Sequence, residues 1–362
     1  MKSVPSIAAM LGLAALASGL PTAGAARAAV IGVVAPQQGP YAALGAQILA
    51  GARAAGNENA VVSINETCEE GQGRTVAEAL AAAGATIAVG FLCVETVADA
   101  LPVLKEKAIP AISVSVRSRI LMEDAHRYQW PFFRLAPVDG MEAQKMADII
   151  LSRFRTRSVA LVDDGTIYGR ELISTVRQKI EAGGIKPSFV DTFRPGQEQQ
   201  LSLVRRLVGA GASHVVVGGD RSDVAVMTRD AEADGAQLTF LGGDVMRAAD
   251  RPVPLADSTL AIALPDYRRL PGAEAAVTVL RDQGVEPEGY VLPAFAAMQV
   301  AKAGMAAAQA GGSALLDTLK SMQTETAVGP VEFGADHELR RNPFRLQQWQ
   351  DDHFELVGPE TD

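Results

Sequence analysis

Short apolar runs alternate with longer segments of helical spacing along most of the chain. In residues 30–51, a β-branched run ends at Pro36, turns through Gly39-Pro40 and continues as an Ala/Leu-rich segment with helical period. This order predicts a buried strand, a tight loop and a helix, which together form the first half of a βαβ unit. The loop falls at the carboxyl end of the strand, where open α/β sheets bind their ligands.

The same alternation continues in two consecutive sets that meet at residues 136–140. Further strands are predicted at residues 61–65, 86–90, 110–114, 158–162, 186–193, 214–218, 238–241 and 259–264, with helical segments between most of them. Two sets of βαβ units predict two doubly wound α/β lobes. The tail differs, because helical segments at 271–283, 292–310 and 315–322 are followed by an antiparallel pair at 344–350 and 353–357.

Length and charge narrow the class of protein. A chain of 362 residues is too long for one ordinary core and suggests two α/β domains or one large one. The 48% hydrophobic content is typical of a folded soluble protein. The net charge of −9 and the pI near 5.1 argue against nucleic acid or an anionic membrane surface as a partner.

The N-terminus has the pattern of a secretory signal peptide. Lys2 is followed by an apolar core at 7–20 and a small-residue tail at 21–29, so cleavage is expected between Ala25 and Ala29. The apolar core is shorter than the roughly 20 residues that a membrane span needs. The mature protein is therefore expected to be exported to the periplasm.

No later segment is expected to span a membrane. The most apolar one, residues 294–310, carries Gln299 and Lys302. Export also changes the interpretation of Cys68 and Cys93, since two cysteines in an oxidising compartment normally pair. A reactive thiol or half of a metal site has no support, because no histidine lies at zinc-like spacing from either cysteine. We predict a disulfide and no metal site.

Motifs that would indicate catalysis are absent from the sequence. Gly71-Gln72-Gly73 lacks the third glycine of a dinucleotide fingerprint, and there is no P-loop, Gly-x-Ser-x-Gly elbow or His-Glu-x-x-His. Asp163-Asp164, at a strand end, could serve acid–base chemistry or cap the following helix. The sequence therefore predicts a binding protein without a cofactor, not an enzyme.

Several short motifs, in this order and spacing, resemble the periplasmic substrate-binding proteins of the branched-chain amino acid (Leu/Ile/Val-binding) type of ABC transporter. The resemblance covers the whole mature chain. The motifs are Val33-Val34-Ala35-Pro36, Gly39-Pro40-Tyr41-Ala42-Ala43-Leu44-Gly45, Val89-Gly90-Phe91-Leu92-Cys93, Ile109-Pro110-Ala111-Ile112-Ser113, Phe133-Arg134, Tyr168-Gly169, Gly218-Gly219, Leu241-Gly242-Gly243-Asp244 and Gly329-Pro330-Val331-Glu332-Phe333.

The resemblance implies a type I periplasmic binding fold, with two Rossmann-like lobes joined by three crossings and closing on a ligand as a hinge. We expect a signal peptide at 1–29. The N-terminal lobe would comprise 30–136 plus 265–330, and the C-terminal lobe 137–264 plus 331–362. The implied partners are a small amino acid or related carboxylate and the permease subunits of an ABC importer, with the protein acting as a monomer.

The predicted first-lobe site departs from the family pattern. Where the family has a small polar residue after the cysteine, this chain has Val94. Where the family has a hydroxyl group after the Ile-Ser strand, the matching positions are Ser115 and Arg117. The Arg117 guanidinium could grip a ligand carboxylate bidentately. The alternative is that Arg117, with Arg119 beside it, lies on a solvated loop.

The remaining site residues also come from the resemblance. Tyr168 matches an aromatic residue that contacts the ligand, and Asp244 matches the acid that pairs with the ligand ammonium group. Asp220 replaces a common aromatic and would add a second carboxylate, or it could be a helix N-cap. Phe295 and Leu44 stand where tyrosine is frequent, and each could instead be a core residue.

Together these features predict the extracytoplasmic solute-binding component of an ABC importer, with a pocket more polar than one for Leu, Ile or Val. The alternative is a periplasmic sensor of the same fold that hands a signal to a receptor or regulator.

Overall fold

The computed structural model describes residues 29–56, 61–248 and 253–358, together with Met1. The predicted signal peptide therefore lies, apart from its two end residues, outside the described part of the chain. The strands are β1 (Val30–Ala35), β2 (Val61–Asn65), β3 (Ala85–Gly90), β4 (Ala111–Ser113), β5 (Phe132–Arg134), β6 (Val159–Asp163), β7 (Phe189–Thr192), β8 (His214–Gly218), β9 (Thr239–Gly242), β10 (Leu260–Ala263), β11 (Gln323–Thr326), β12 (Gly329–Glu332), β13 (Arg345–Gln350) and β14 (His353–Leu356).

The helices alternate with these strands through most of the chain. They are α1 (Ala42–Ala55), α2 (Gly73–Ala82), α3 (Val94–Glu106), α4 (Arg119–Tyr128), α5 (Met141–Arg153), α6 (Ile167–Ala182), α7 (Leu201–Gly209), α8 (Arg221–Ala233), α9 (Glu274–Asp282), α10 (Val291–Gly311) and α11 (Leu315–Ser321). A short 3-10 turn, Asp244–Arg247, follows β9.

The first sheet has the order β2-β1-β3-β4-β5, and all its strands are parallel. In β1, every residue after Val30 is buried. Val33 belongs to the core cluster with residues of α1 and α10, and Val34 to the cluster with residues of α2 and α3. Because helices cover both faces, the strand is continuously apolar instead of alternating.

The second sheet has the order β14-β13-β10-β9-β8-β6-β7. Its parallel part, β7-β6-β8-β9-β10, repeats the strand order of the first sheet, and the antiparallel strands β13 and β14 extend it beyond β10. The predicted doubly wound α/β class with an antiparallel ending is confirmed. In both sheets the order reverses beside the first strand of the set, and ligands bind outside such switch points.

The chain crosses between the lobes three times within the described residues: from β5 to α5, from β10 to α9, and from β12 to β13. Val331 and Phe333 still pack in the first-lobe core, where the Phe133 and Phe333 ring centroids are 4.9 Å apart. The predicted boundary at residue 330 stays a prediction, and this packing favours a later one, after Leu339, which also packs against that core.

Helix α10 corrects one expectation. By length and composition it is apolar enough to cross a membrane, although no such segment was expected after the leader. Much of its apolar window, 61%, is buried inside the fold. Gly51 of α1 lets the two helices approach closely, because a Cβ there would lie 2.0 Å from the Val291 carbonyl oxygen. Helix α10 is therefore a core helix of the first lobe.

Candidate functional site

The cleft between the lobes begins at the carboxyl ends of the first-lobe strands. Gly90, the last residue of β3, has φ of +108°, and a Cβ at this position would lie 2.2 Å from the Val34 carbonyl oxygen. Only glycine fits here, so the strand can pass close to β1 before the chain turns towards the cleft. Ser115, which follows β4, donates through Oγ to the carbonyl oxygens of Phe91 (3.2 Å) and Leu92 (2.6 Å). The serine thus ties the two strand ends together.

Arg117 lies on the exposed loop between β4 and α4 and forms no hydrogen bond or ion pair with other residues that the structure describes. Its backbone is nevertheless fixed, because Arg134 donates to the carbonyl oxygens on either side of it, at Val116 (3.4 Å) and Ser118 (2.9 Å). Arg134 is fully buried and also forms a bidentate pair with Glu338, with both N···O distances 2.8 Å. A guanidinium on a fixed backbone is suited to gripping a carboxylate.

The second-lobe side of the cleft is built around Glu142, in the first turn of α5. Its Oε1 accepts hydrogen bonds from the Tyr168 hydroxyl (2.7 Å) and from the Asp244 backbone N–H (2.7 Å). Gly243 leaves room for this arrangement, since a Cβ there would lie within 2.3 Å of both Glu142 and Tyr168. Asp244 in turn accepts from the Leu264 N–H at 2.9 Å through Oδ1. Three chain segments therefore meet at one carboxylate.

The electrostatics of this cluster follow from its burial. Burial raises the pKa of Glu142, although the hydrogen bonds from Tyr168 and Asp244 and the charge of Arg117 act in the opposite direction. Burial, followed by the charge and hydrogen bond of Glu142, raises the pKa of Tyr168 well above its ordinary value. Tyr168 is therefore a hydroxyl donor throughout the physiological range.

Arg117 lines two cavities between the lobes. One, of about 350 Å³, is also lined by Ser115, Arg247, Tyr267 and Tyr290, together with residues of the crossings. The other, of about 280 Å³, is also lined by Glu142, Tyr168, Asp139 and Glu171. A cationic group of the first lobe thus faces carboxylates of the second lobe, as a site for a molecule with an acid and an amine requires.

The other predicted site residues lie elsewhere. Phe295 is 8% exposed and packs in a core cluster of α9 and α10. Val94, the first residue of α3, packs half-buried against the core of the first lobe. Leu44 is half-buried on α1 and Asp220 is exposed. None of the four lines either of these two cavities, and their ligand contacts stay predictions.

Asp220 and the Asp163-Asp164 pair have different local roles. Asp220 stands at the N-cap position of α8 without a side-chain capping hydrogen bond. Asp163 accepts from the Gly165 N–H, and Asp164 from both the N–H and the hydroxyl of Thr166. Both carboxylates of the pair therefore shape the turn before α6, where Thr166 is the N-cap.

The predicted disulfide between Cys68 and Cys93 is confirmed, with Cα atoms 5.3 Å apart. One oxygen of Glu66 lies within 4.8 Å of both sulfur atoms, but sulfurs joined in a disulfide are not thiolate ligands. Glu66 is 1% exposed and accepts from the Leu92 N–H at 2.6 Å and from the Cys93 N–H at 3.5 Å. Burial raises its pKa to about 7.

Sequence reasoning missed Glu142, Arg247 and Tyr267. The available signal for Glu142 was an acidic residue in the first turn of the helix that follows the first crossing. The N-cap position of that helix is occupied by Gly140, with φ of +89°. Arg247 follows the Gly-Gly-Asp motif by three residues, and Tyr267 lies on the second crossing.

The chain matches the family model described as periplasmic binding protein over residues 28–353. A Leu/Ile/Val-binding protein homolog from Brucella melitensis is 27% identical, over 91% of this chain and 93% of the relative. An amino acid binding protein from Pseudomonas aeruginosa is 28% identical, over 89% and 90%.

Solved structures share the fold at lower identity. A substrate-binding protein of an ABC transporter from Desulfitobacterium hafniense, in complex with Leu, has a TM-score of 0.63 and 17% identity, covering 91% of this chain and 99% of that one. A solute-binding protein from R. palustris, in complex with 4-hydroxybenzoate, has a TM-score of 0.59 and 14% identity, with coverages of 92% and 96%.

Proposed function

The chain belongs to the periplasmic binding protein family, and from this premise we propose that it is the extracytoplasmic solute-binding component of an ABC importer. It binds a small amino acid or related carboxylate between its two lobes, which close about the three crossings. The protein works in the periplasm as a monomer, hands its ligand to the permease subunits and performs no covalent chemistry. The names of its relatives support an amino acid or a carboxylate as ligand.

One observation carries the proposal. Arg117 of the first lobe lines the same cavity as Glu142 and Tyr168 of the second lobe. Arg117 holds the ligand carboxylate, with support from Ser115 and the strand-end amides. The second lobe supplies the acceptors for an amine or hydroxyl, namely Asp244, Glu142 and Asp220. Closure brings both ends of the ligand out of water, where charge-assisted hydrogen bonds are strongest.

Two variants test this assignment. Arg117→Gln removes the carboxylate clamp, and Asp244→Asn removes the anionic partner of an amine. We expect each to weaken binding at least tenfold, measured by isothermal titration calorimetry with the strongest hit of a thermal-shift screen of amino acids, carboxylates and amines. The matched control is Arg119→Gln, because Arg119 is exposed and, among the residues that the structure describes, pairs with Glu123 on its own helix.

The control should bind with wild-type affinity. Full-affinity binding by both site variants would reject the site assignment. A screen in which no amino acid, carboxylate or amine stabilises the protein would reject the proposed function itself, since a ligand at 100 times its Kd raises the free energy of unfolding by about 2.7 kcal/mol.

A further inference from the structure

We infer that the ligand carries two acidic groups, one held by Arg117 of the first lobe and the other by Arg247 of the second. This inference rests on the proposed function and specifies its ligand as a small dicarboxylate. The sequence pattern gave no role to Arg247, which ends the 3-10 turn after β9.

The two arginines face one cavity from opposite lobes. Both line the cavity of about 350 Å³, and both side chains are exposed. Within the described residues, neither guanidinium forms a hydrogen bond or an ion pair. Arginines that converge on one cavity from opposite lobes, without a direct ion pair to its other described residues, favour an anionic occupant.

Tyr267 shows that these charges converge. Its side chain lies on the second crossing, between the lobes, and lines the same cavity. Burial raises the pKa of Tyr267 to about 12, and the charges of Arg247, Arg117 and Arg345 oppose that rise, whereas Asp244 adds to it. Three guanidinium groups and one carboxylate therefore act on a single phenol.

The other charges of the cavity leave the two arginines available. Arg268 forms a bidentate pair with Asp266, with N···O distances of 2.8 and 2.7 Å. The negative charge of Glu288 also acts on Arg268, because it helps to raise the pKa of that guanidinium. Asp244 does not line this cavity, and one of its oxygens, Oδ1, accepts from the Leu264 N–H. A bidentate guanidinium takes one lone pair on each oxygen of a carboxylate, so an arginine on the opposite lobe is best matched by a second acidic group at the other end of the ligand.

The backbone beside each exposed arginine is held by a buried arginine. In the first lobe, Arg134 donates to the carbonyl oxygens of Val116 and Ser118. In the second lobe, Arg221 is 4% exposed and donates to the Met246 carbonyl oxygen at 2.6 Å. Arg221 also lies 4.2 Å from the centre of the Trp349 ring, which it faces through a cation–π contact. The two lobes thus support their cleft arginines in the same way.

The experiment compares diacids with monoacids by isothermal titration calorimetry on the mature protein. The probes are succinate, glutarate, adipate, L-aspartate and L-glutamate, with butyrate, valerate and L-leucine as comparators that carry a single acid group. We expect the best diacid to bind at least tenfold tighter than every comparator. Arg247→Gln should weaken that diacid tenfold or more and change L-leucine or monoacid binding less than threefold.

The matched control is Arg205→Gln, an exposed arginine of the second lobe that pairs with Asp234. It should leave all affinities unchanged. If a neutral amino acid or monoacid binds best, or if Arg247→Gln binds the diacid with wild-type affinity, the inference is wrong while the proposed function stands. If none of these acids or amino acids binds, the inference is wrong, and the proposed function is rejected as well only when the wider thermal-shift screen of amino acids, carboxylates and amines also gives no hit.

Discussion

Glu66 gives the sharpest test of how burial shapes the first-lobe side of the cleft. The residue follows β2, is 1% exposed and accepts the Leu92 N–H at 2.6 Å. The Leu92 carbonyl oxygen in turn accepts the hydroxyl of Ser115. We consider Glu66→Gln, which keeps the shape and one acceptor oxygen but removes the ionisation.

The magnitude follows from the pKa. Burial raises the pKa of Glu66 from 4.5 to about 7, so the folded state binds its proton more tightly than the unfolded state. The protonated Glu66 side chain therefore stabilises the folded state fully below pH 4.5, and this stabilisation is lost as the pH rises through 7. At 1.36 kcal/mol per pKa unit, this difference corresponds to about 3 kcal/mol. When the pH is raised from 4 to 8.5, the free energy of unfolding of Glu66→Gln should therefore increase by about 3 kcal/mol relative to that of the wild type.

The assay is urea unfolding of wild type and variant at both pH values, with equal m-values required for the comparison. The difference in free energy of unfolding between the two proteins cancels the contribution of every other group that titrates in the same way in both. Glu69→Gln is the matched control, because Glu69 is exposed three residues further along, and it should show less than about 0.5 kcal/mol of pH-dependent difference. A Glu66→Gln difference that is constant with pH, or that favours wild type at pH 8.5, would refute the reasoning.

Three further predictions concern the framework of the site. Glu338→Ala should cost about 3–5 kcal/mol in urea unfolding and weaken ligand binding, because it leaves the buried Arg134 without its partner; an unchanged unfolding midpoint would contradict this. Replacing Cys68 and Cys93 with serine should cost about 3.5 kcal/mol in the chain-entropy model, measured against the oxidised wild type, and reduction of the wild type should reproduce the loss. Tyr168→Phe removes a hydroxyl that donates to a carboxylate and should lower the free energy of unfolding by about 1.5–3 kcal/mol, whereas equal thermal unfolding would argue against the bond.

The elements of the fold were predictable because they are encoded locally. A buried parallel strand needs a continuous apolar run and its helix an amphipathic period, and both are visible within about 20 residues of sequence. The predicted strand at 61–65 and the antiparallel ending correspond to β2, β13 and β14. The edge strand β7 is shorter than predicted, since it alternates between half-buried and exposed residues and its ends lack a packed face. The disulfide was predictable from the number of cysteines and from the N-terminal pattern that predicts export.

The candidate site was only partly predictable, because its contacts join distant segments. Glu142 accepts hydrogen bonds from residues 26 and 102 positions away, and Arg134 pairs with a carboxylate 204 positions away. Phe295 shows the opposite case, since its place on an apolar helix fits a core residue and a pocket residue equally well until the packing of α9 is known.

The sequence by itself determined the order of strands and helices, the two-lobed class and the pairing of the cysteines, because short-range periodicity and chemistry fix these. Only the tertiary structure decided which charges meet. It brought the Glu142 carboxylate to the Asp244 N–H and the buried Glu66 carboxylate to the Leu92 N–H. It also brought Arg117 and Arg247 to one cavity. The reason is physical: the pKa of a carboxyl and the availability of a guanidinium depend on burial and on neighbours a few ångströms away, which parallel sheets assemble from residues far apart in the chain.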